Sequence, residues 1–196
     1  MLLIATRNAH KTGEIRAILG PAWEVTDLTA HPDVPSPEET GATFAENAEI
    51  KALSASRVFD GIVLADDSGL EVDVLDGTPG VRSARYAGPG ATDADNRAKL
   101  LRALDGVRGK ARSARFRCAM VLAKAGAVLG TFEGAVKGVI VNGERGEGGF
   151  GYDALFVPED HCETFAELPP STKNALSHRA RALAQLKGAL LREKII

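Results

Sequence analysis

The apolar and polar positions along the chain predict strands and helices in mixed order. Residues 2–5 form an apolar run, a polar loop follows at residues 6–11, and apolar positions then recur with a helical period as far as Leu19. This opening predicts a strand, a loop and a helix. Residues 23–25 form a candidate second strand, and the three prolines within residues 30–41 indicate an irregular loop.

Two further helices have recognisable start signals. Thr43 is a candidate N-cap for a helix over residues 44–57, and Glu46 stands three positions later, where it completes a capping box. Thr92 is a candidate cap for a helix over residues 93–104.

The second half of the chain favours β-structure. Residues 114–123 and 127–141 are long, apolar and rich in β-branched residues, and the Lys-Ala-Gly between them fits a hairpin turn. A glycine-rich loop at residues 143–151 leads to a short predicted strand over residues 154–157, and an amphipathic helix is predicted over residues 176–191. Strand–helix units combined with one antiparallel hairpin predict a mixed α/β sheet.

One apolar run ends in two adjacent acids. Residues 61–65 predict a buried strand that ends at Asp66 and Asp67, and residues 71–75 predict another strand. Two neighbouring carboxylates are costly to bury unless a cation or hydrogen-bond donors meet them. Strand ends are also where open α/β sheets place ligands and metals. On these residues alone a solvated turn fits equally well, because Asp, Ser and Gly are turn formers.

Composition narrows the class of protein. With 196 residues and 44% apolar content, the chain has enough material for one domain with a sizeable core. A formal net charge of −2 gives no global basic field for nucleic acid or an anionic membrane, although Lys and Arg can cluster locally. Cys118 and Cys162 have no metal-binding spacing and indicate reduced thiols. With no signal peptide and no apolar segment of membrane-spanning length, we expect a soluble, cytoplasmic protein that binds neither nucleic acid nor membranes.

The loop at residues 6–11, Thr-Arg-Asn-Ala-His-Lys, joins a predicted strand to a predicted helix. Such a junction directs backbone N–H groups and the positive helix end at a phosphate, and Lys11 would add a charge. The loop lacks the glycines of a Walker A motif. Taken alone, it is more typical of a capped helix start with a solvated lysine.

The acids form a second candidate group. Asp66 and Asp67, together with Glu38 and Glu39 of the proline-rich loop, could form the hard oxygen site that Mg²⁺ prefers. A carboxylate beside a metal-bound water could also accept its proton. The alternative is that Glu38 and Glu39 simply face solvent.

Two more groups could recognise a base. Residues 148–153, Gly-Gly-Phe-Gly-Tyr-Asp, combine close backbone approach with an aromatic face at Phe150, although a hairpin corner with a buried Phe is an equal alternative. Lys173, His178 and Arg179 could donate to base carbonyls or phosphates, whereas a surface helix start is the simpler interpretation of these residues alone. All four groups together are the components of a nucleoside triphosphate site.

These motifs resemble the inosine/xanthosine triphosphate pyrophosphatase family, the HAM1-like house-cleaning enzymes. The matching segments cover nearly the whole chain in the family's order, and they are residues 6–11, 65–70, 83–86, 149–153 and 177–179. The resemblance implies a mixed α/β fold in which a long twisted central sheet and flanking helices form two lobes around a deep cleft, usually in a homodimer. It also implies Mg²⁺-dependent hydrolysis of the non-standard purine nucleotides ITP, dITP and XTP to the monophosphate and pyrophosphate.

The resemblance also implies roles for individual residues. Asp67 would be the catalytic proton acceptor and a metal ligand, and Glu38 would be the other metal carboxylate. Of the two adjacent acids we therefore expect Asp67 to carry the chemistry and Asp66 to be an auxiliary acid. The implied substrate-binding residues are Thr6, Arg7, Asn8, Ala9, His10, Lys11, Ser68, Phe150, Gly151, Tyr152, Asp153, Lys173, His178 and Arg179. In this set the first loop would hold the triphosphate, Phe150 would stack on the base, and the last three residues would read the base edge.

The first loop departs from the family pattern, because Arg7 and His10 replace two glycines. Arg7 could add a phosphate contact or could limit how closely the backbone approaches. A Maf-like nucleotide pyrophosphatase is a second interpretation, against which the Gly-Gly-Phe-Gly-Tyr-Asp and Ser-His-Arg motifs argue. A non-catalytic nucleotide sensor or a nucleic-acid-binding module is a third, which the near-neutral charge and the presence of Asp67 disfavour.

Overall fold

The structure, a computed structural model, describes residues 1–193. The strands are β1 (Leu2–Ile4), β2 (Val25–Asp27), β3 (Ile62–Val72), β4 (Ser113–Lys124), β5 (Ala127–Ile140) and β6 (Phe156–Pro158). The α-helices are α1 (Ala9–Leu19), α2 (Phe44–Ser56), α3 (Asp93–Ala103), α4 (Pro170–Leu176) and α5 (His178–Glu193). None of the helices in this described range has both the length and the apolar character that crossing a membrane requires.

The strands pair in the order β2-β1-β3-β4-β5-β6. Strand β1 is parallel to both neighbours, with Leu2 opposite Val25 on one side and Ile62 on the other, while β5 and β6 are antiparallel. The parallel strands are connected through α1 and α2, as parallel pairing requires a long crossover. The predicted mixed α/β fold is therefore confirmed.

The chain divides into two compact units, each built from separate segments. The first unit contains Met1–Asp67, Cys118–Gly134 and the segment that starts at His178, and the second contains Ser68–Arg117 and Ala135–Ser177. Each unit has its own apolar core. The first core includes Leu2, Ile4, Ile15, Leu64, Met120, Leu183 and Leu186. The second core includes Leu70, Leu100, Phe116, Ile140, Leu155, Phe156 and Phe165.

The local start and turn signals in the sequence are confirmed. The Thr43 hydroxyl accepts the Glu46 N–H at 3.2 Å and the Glu46 carboxylate accepts the Thr43 N–H at 3.3 Å, so the capping box of α2 is complete. Thr92 caps α3, as predicted. The β4–β5 turn places Ala125 and Gly126 at φ values of 49° and 77°, a left-handed pair typical of a two-residue hairpin turn.

Several predicted boundaries are wrong. Strand β3 continues through both acids to Val72, and Asp73–Leu75 is a short 3₁₀ helix rather than a strand. The solvated-turn alternative for Asp66 and Asp67 is also wrong, since both lie inside the strand and are buried. The physical reason is that cationic side chains contact both carboxylates: Lys11 and Arg179 contact Asp66, and Lys51 contacts Asp67. These contacts offset the cost of burying the acids within the strand.

The other boundary errors are smaller. Helix α1 starts at Ala9 rather than residue 11, and strand β2 occupies Val25–Asp27 rather than residues 23–25. The predicted final helix is two helices, because Ser177 adopts an extended conformation between α4 and α5. The predicted strand at residues 154–157 is a 3₁₀ turn, Asp153–Leu155, followed by β6.

Candidate active site

The first loop is organised by the side chain of Asn8. Asn8 Oδ1 accepts the backbone N–H groups of His10 at 2.9 Å and Lys11 at 3.3 Å, and the Thr6 hydroxyl accepts the Asn8 N–H at 3.1 Å. Asn8 is therefore the N-cap of α1. Ala9 and His10 are exposed at the first turn. The loop thus presents a capped helix start, in which Asn8 accepts two of the N–H groups that could otherwise bind a phosphate. The solvated lysine of the simpler interpretation is wrong, because Lys11 is largely buried and contacts Asp66.

Asp66 is the centre of a buried charge network. Its Oδ1 lies 2.5 Å from Lys11 Nζ, and its Oδ2 accepts Arg179 Nε at 3.2 Å and the Cys118 thiol at 2.9 Å. Arg179 also contacts Glu14, with Nη1 2.6 Å from Oε2. Burial alone would raise the pKa of Asp66, but the charges of Arg179 and Lys11 outweigh it and hold the pKa well below its ordinary value. Asp66 is therefore ionised at neutral pH.

Asp67 differs from its neighbour, because successive strand residues point to opposite faces. Asp67 is 6% exposed, and its Oδ1 accepts Lys51 Nζ at 2.9 Å. Within residues 1–193, no group donates a hydrogen bond to its buried Oδ2. Burial raises the pKa of Asp67 above its ordinary value, although the charges of Lys51 and Lys11 oppose the rise. Asp67 thus keeps one carboxylate oxygen available for a proton, a water or a cation.

Lys51 is the residue that sequence reasoning missed. Its Nζ donates to Asp67 Oδ1 at 2.9 Å, to Glu39 Oε1 at 2.9 Å and to the Asp66 backbone carbonyl at 2.7 Å. Burial would lower the pKa of Lys51, but Asp67 and Glu39 outweigh burial and raise it, so the amine stays charged. A signal was present in the sequence, since Lys51 occupies a position of the apolar face formed by Ala48, Ala52 and Ala55.

The proline-rich loop contributes Glu39 to this cluster. The neighbouring Glu38, which the family resemblance implied as a metal carboxylate, is exposed. The Gly41 N–H donates to Asn47 Oδ1 at 2.8 Å, which fixes the end of the loop against α2. The structure therefore brings Glu39 towards Asp67 through Lys51, whereas Glu38 remains at the surface.

The second unit contains the predicted base platform. Asp153 Oδ2 accepts both the Phe150 N–H at 2.8 Å and Lys173 Nζ at 2.5 Å, and Lys173 Nζ lies 5.1 Å from the centre of the half-buried Phe150 ring. Gly149 is required here, because its φ is +70° and a Cβ would collide with the Asp153 carboxylate. The structure thus brings Phe150, Asp153 and Lys173 together.

The rest of this loop is fixed by hydrogen bonds within the second unit. The Tyr152 hydroxyl donates to the Ser83 carbonyl at 2.8 Å, and burial raises the pKa of Tyr152. The Gly151 N–H donates to Asp93 Oδ2 at 2.7 Å, while the Gly151 carbonyl accepts Arg97 Nη1 at 2.9 Å. The backbone around Phe150 is therefore held in one conformation by α3. Ser68, the remaining predicted contact, is half-buried in β3.

The residues of the predicted donor group, Lys173, His178 and Arg179, lie on two helices that the extended residue Ser177 separates. Lys173 lies on α4 in the second unit, and His178 and Arg179 begin α5 in the first. His178 is 4% exposed and Arg179 is 2% exposed. Arg179 makes ion pairs with Asp66 and Glu14 in this structure, which gives it a structural task that the sequence did not indicate.

The cluster around Asp67 suits a cation that brings most of its own ligands. In the part of the chain that the structure describes, no three His, Cys, Asp or Glu side chains are close enough to hold a metal by themselves. Mg²⁺ commonly uses only one or two carboxylates and completes its shell with waters and substrate phosphates. The Asp67 carboxylate, which Lys51 contacts at one oxygen and no described residue contacts at the other, fits that requirement.

A mixed α/β fold whose central strand buries two acids, each paired with lysine, defines a class of protein suited to phosphate chemistry. Residues 2–189 match the Ham1 family, and the chain belongs to this family.

Similar proteins span nearly the whole chain. A dITP/XTP pyrophosphatase of Geobacillus kaustophilus is 51% identical over 94% of this chain and 91% of its own length. A dITP/XTP pyrophosphatase of Geobacter sulfurreducens is also 51% identical, over 96% of both chains. The solved structure of a HAM1 protein from Coxiella burnetii superposes with a TM-score of 0.86 at 42% identity, and the match covers 97% of this chain and 98% of that one.

Proposed function

We propose that this protein hydrolyses non-standard purine nucleoside triphosphates, ITP, dITP and XTP, to the monophosphate and pyrophosphate. It would thereby remove these nucleotides from the cellular pool. Full-length similarity to dITP/XTP pyrophosphatases supports the substrate class. The observation that carries the proposal is the Asp67 carboxylate, which is buried, bound to Lys51 through one oxygen and unpartnered at the other.

Asp67 would act as the proton acceptor. A carboxylate whose pKa is raised by burial is a better base than an exposed one, and Oδ2 is available to accept a proton from water. The water oxygen would attack the α-phosphorus, the bond from that phosphorus to the bridging oxygen would break, and pyrophosphate would leave. Lys51 would hold the carboxylate in place throughout the reaction.

The first loop would bind the triphosphate. The start of α1 offers its dipole and the Lys11 ammonium, which in this structure lies against Asp66. Because Asp66 also contacts Arg179, Asp66 keeps one cationic partner if Lys11 moves to a phosphate oxygen. We propose that Asp66 holds Lys11 ready for that transfer, while Thr6, Asn8 and the exposed residues Ala9 and His10 line the helix start.

We propose Mg²⁺ as the cofactor, with Asp67 as one ligand and Glu39, in place of the expected Glu38, as the second carboxylate. Asp67 would bind the ion through Oδ1, which keeps a lone pair besides the one that Lys51 contacts, so that Oδ2 remains the proton acceptor. When bound, the ion would neutralise charge on the triphosphate and make pyrophosphate a better leaving group. The chain itself supplies few ligands, so substrate oxygens and waters would complete the coordination.

The base would be recognised by the loop of the second unit. Phe150 would stack on the purine, and the segment Gly151, Tyr152 and Asp153 would shape the pocket, with Lys173 as a donor. We also assign Ser68, His178 and Arg179 to substrate binding, as the family resemblance implies. Donors aimed at a 6-oxo group would be left unpaired by adenine, which disfavours ATP.

We further propose that the whole chain is a single catalytic domain with two lobes, because neither compact unit is a continuous stretch of chain. A cytoplasmic homodimer is the expected form, and light scattering coupled to gel filtration tests the dimer. A mass of one chain would refute it.

Product analysis with and without Mg²⁺ tests the activity, using ITP, XTP, dITP, ATP and GTP. We expect pyrophosphate from ITP, dITP and XTP, little product from ATP, and none in a chelator. Orthophosphate as the first product would refute attack at the α-phosphorus. Binding without turnover would favour the nucleotide sensor, and a preference for other modified nucleotides would favour the Maf-like alternative.

A further inference from the structure

Arg7 contacts the backbone of the proline-rich loop, residues 30–41, and of Leu28 just before it. Its Nη1 donates to the Leu28 carbonyl at 2.8 Å, and its Nη2 donates to the Val34 carbonyl at 3.3 Å. Next to these contacts, the Leu28 N–H donates to the Thr6 carbonyl at 3.2 Å. Three hydrogen bonds therefore join the first loop to the segment that leads to Glu39.

The loop needs donors from outside itself. Residues 30–41 have no helix or strand, and Pro32, Pro35 and Pro37 lack the N–H groups with which a loop satisfies its own carbonyls. Leu28 and Val34 are 3% and 6% exposed, so their backbone groups have little access to water. The two Nη atoms of a guanidinium can donate to two carbonyls at the same time. An ammonium has a single nitrogen and cannot reproduce this geometry.

The other end of the same loop is fixed by α2. Asn47 accepts the Gly41 N–H, and Lys51 holds the Glu39 carboxylate. Arg7 supplies the matching restraint at the start of the loop. Glu39 lies five residues after Val34, between these two anchors.

We propose that Arg7 is a positioning residue that holds the proline-rich loop, and with it Glu39, in the arrangement that Lys51 and Asp67 require. It acts through the loop carbonyls and not through the phosphates. The inference rests on the proposed function for its catalytic consequence, but the restraint on the loop is a property of the free protein.

Hydrogen exchange of the substrate-free and metal-free protein tests the restraint. We expect amide exchange in residues 28–41 to accelerate about tenfold or more in both Arg7→Met and Arg7→Lys. Methionine has no donor, and the single nitrogen of lysine cannot take the places of the two separate nitrogens with which Arg7 spans the Leu28 and Val34 carbonyls. The matched control is Arg16→Met, because Arg16 Nη2 also donates to a backbone carbonyl, that of Val25 at 3.1 Å, but this carbonyl belongs to β2 and not to the proline-rich loop. Exchange in the two Arg7 variants that stays close to the wild-type rate would overturn the proposal.

Kinetics separates positioning from phosphate binding. We expect both Arg7 variants to lower kcat for ITP about five- to twentyfold, with the inhibition constant of pyrophosphate within about twofold of the wild type. A direct phosphate contact would give the opposite pattern, in which Arg7→Lys retains activity and Arg7→Met mainly weakens pyrophosphate inhibition. Unchanged kcat despite faster exchange would also overturn the positioning role. If the wild type releases no pyrophosphate, the proposed function fails, and the exchange result still decides whether Arg7 restrains the loop.

Discussion

Lys51 Nζ lies 2.9 Å from Oδ1 of Asp67 and leaves Oδ2 of the same buried carboxylate without a donor among the described residues. A buried carboxylate oxygen normally has a hydrogen-bond partner, so this oxygen is an exception that the proposed function explains. The contact with Lys51 orients the carboxylate and leaves Oδ2 for the proton that the proposed reaction transfers. The pair is therefore the geometric basis of the role that we propose for Asp67.

Asp67→Asn should abolish turnover while the fold is kept. The amide can still accept from Lys51 through its oxygen, but it replaces the proton-accepting Oδ2 with an NH₂ group. We expect kcat for ITP to fall about 10²- to 10⁴-fold, the range of a lost general base. Pyrophosphate release measures the loss, and an unchanged circular dichroism spectrum and unfolding midpoint control for the fold. Near-normal kcat would remove Asp67 from the proposed role.

Glu39→Gln and Glu38→Gln form a matched pair on adjacent residues. Glu39 contacts Lys51, whereas Glu38 is exposed. We expect Glu39→Gln to lower kcat/KM about 10- to 100-fold and to raise the Mg²⁺ concentration at half-maximal rate. Glu38→Gln should remain within about twofold of the wild type, as an exposed substitution usually does. A larger loss of kcat/KM in Glu38→Gln than in Glu39→Gln would identify Glu38 as the metal carboxylate.

Local chemistry explains which parts of the fold were predictable. Thr43 and Glu46 stabilise the start of α2 within four residues, so their spacing alone identifies the helix start. The hairpin turn at Ala125 and Gly126 is equally local. The same reasoning applies to the clustering of Phe150 and Asp153, which belong to one short loop.

Contacts distant in sequence explain the errors. The strand was expected to end at the two acids because neighbouring carboxylates are costly to bury. In the structure Arg179 contacts Asp66 from 113 residues away, and Lys51 contacts Asp67 from 16 residues away. Sequence spacing cannot show that such cations arrive. For the same reason it could not decide between Glu38 and Glu39, because only the path of an irregular loop determines which of two neighbours turns inward.

Asp66→Asn should change how stability depends on pH. The folded pKa of Asp66 lies well below its ordinary value, so its contribution is complete above the unfolded pKa and is lost as pH falls towards the folded pKa. At pH 7 we expect the variant to lose about 3–5 kcal/mol, as when a buried ion pair loses one partner. The deficit should shrink as pH falls below about 4, where the unfolded carboxyl becomes protonated.

Urea unfolding of the metal-free protein across this pH range measures the difference. Asp105→Asn, a change at an exposed acid, is the control and should follow the wild-type curve within about 0.5 kcal/mol. A deficit that stays constant with pH would show that the charge of Asp66 is not what stabilises the network.

Gly134→Ala should destabilise the protein through the start of α5. An added Cβ would collide with the His178 carbonyl and would lie 2.7 Å from the Ala182 nitrogen, and both are backbone atoms that cannot rotate away. We expect a loss of about 1–3 kcal/mol in the free energy of unfolding, as for an overpacked core. A shift of α5 would also move Arg179, which follows His178, away from Asp66 and weaken their ion pair.

Gly13→Ala provides the matched control for this substitution. Gly13 lies inside α1, and an added Cβ meets nothing within 4 Å. Alanine should therefore stabilise the helix by about 0.5–1 kcal/mol. Chemical denaturation measures both variants, and equal stability of the two would contradict the close packing of β5 on α5.

Phe150→Ala should weaken the binding of every purine substrate. Stacking of a base on an aromatic ring contributes about 1–3 kcal/mol, so KM for ITP should rise about tenfold, with kcat less affected. Phe150→Leu should behave similarly, because it keeps apolar volume but loses the flat face that Lys173 contacts. Phe59→Ala removes an equally half-buried ring that packs on His31, and it should leave KM unchanged. An unchanged KM in both Phe150 variants would refute stacking of the base on this ring.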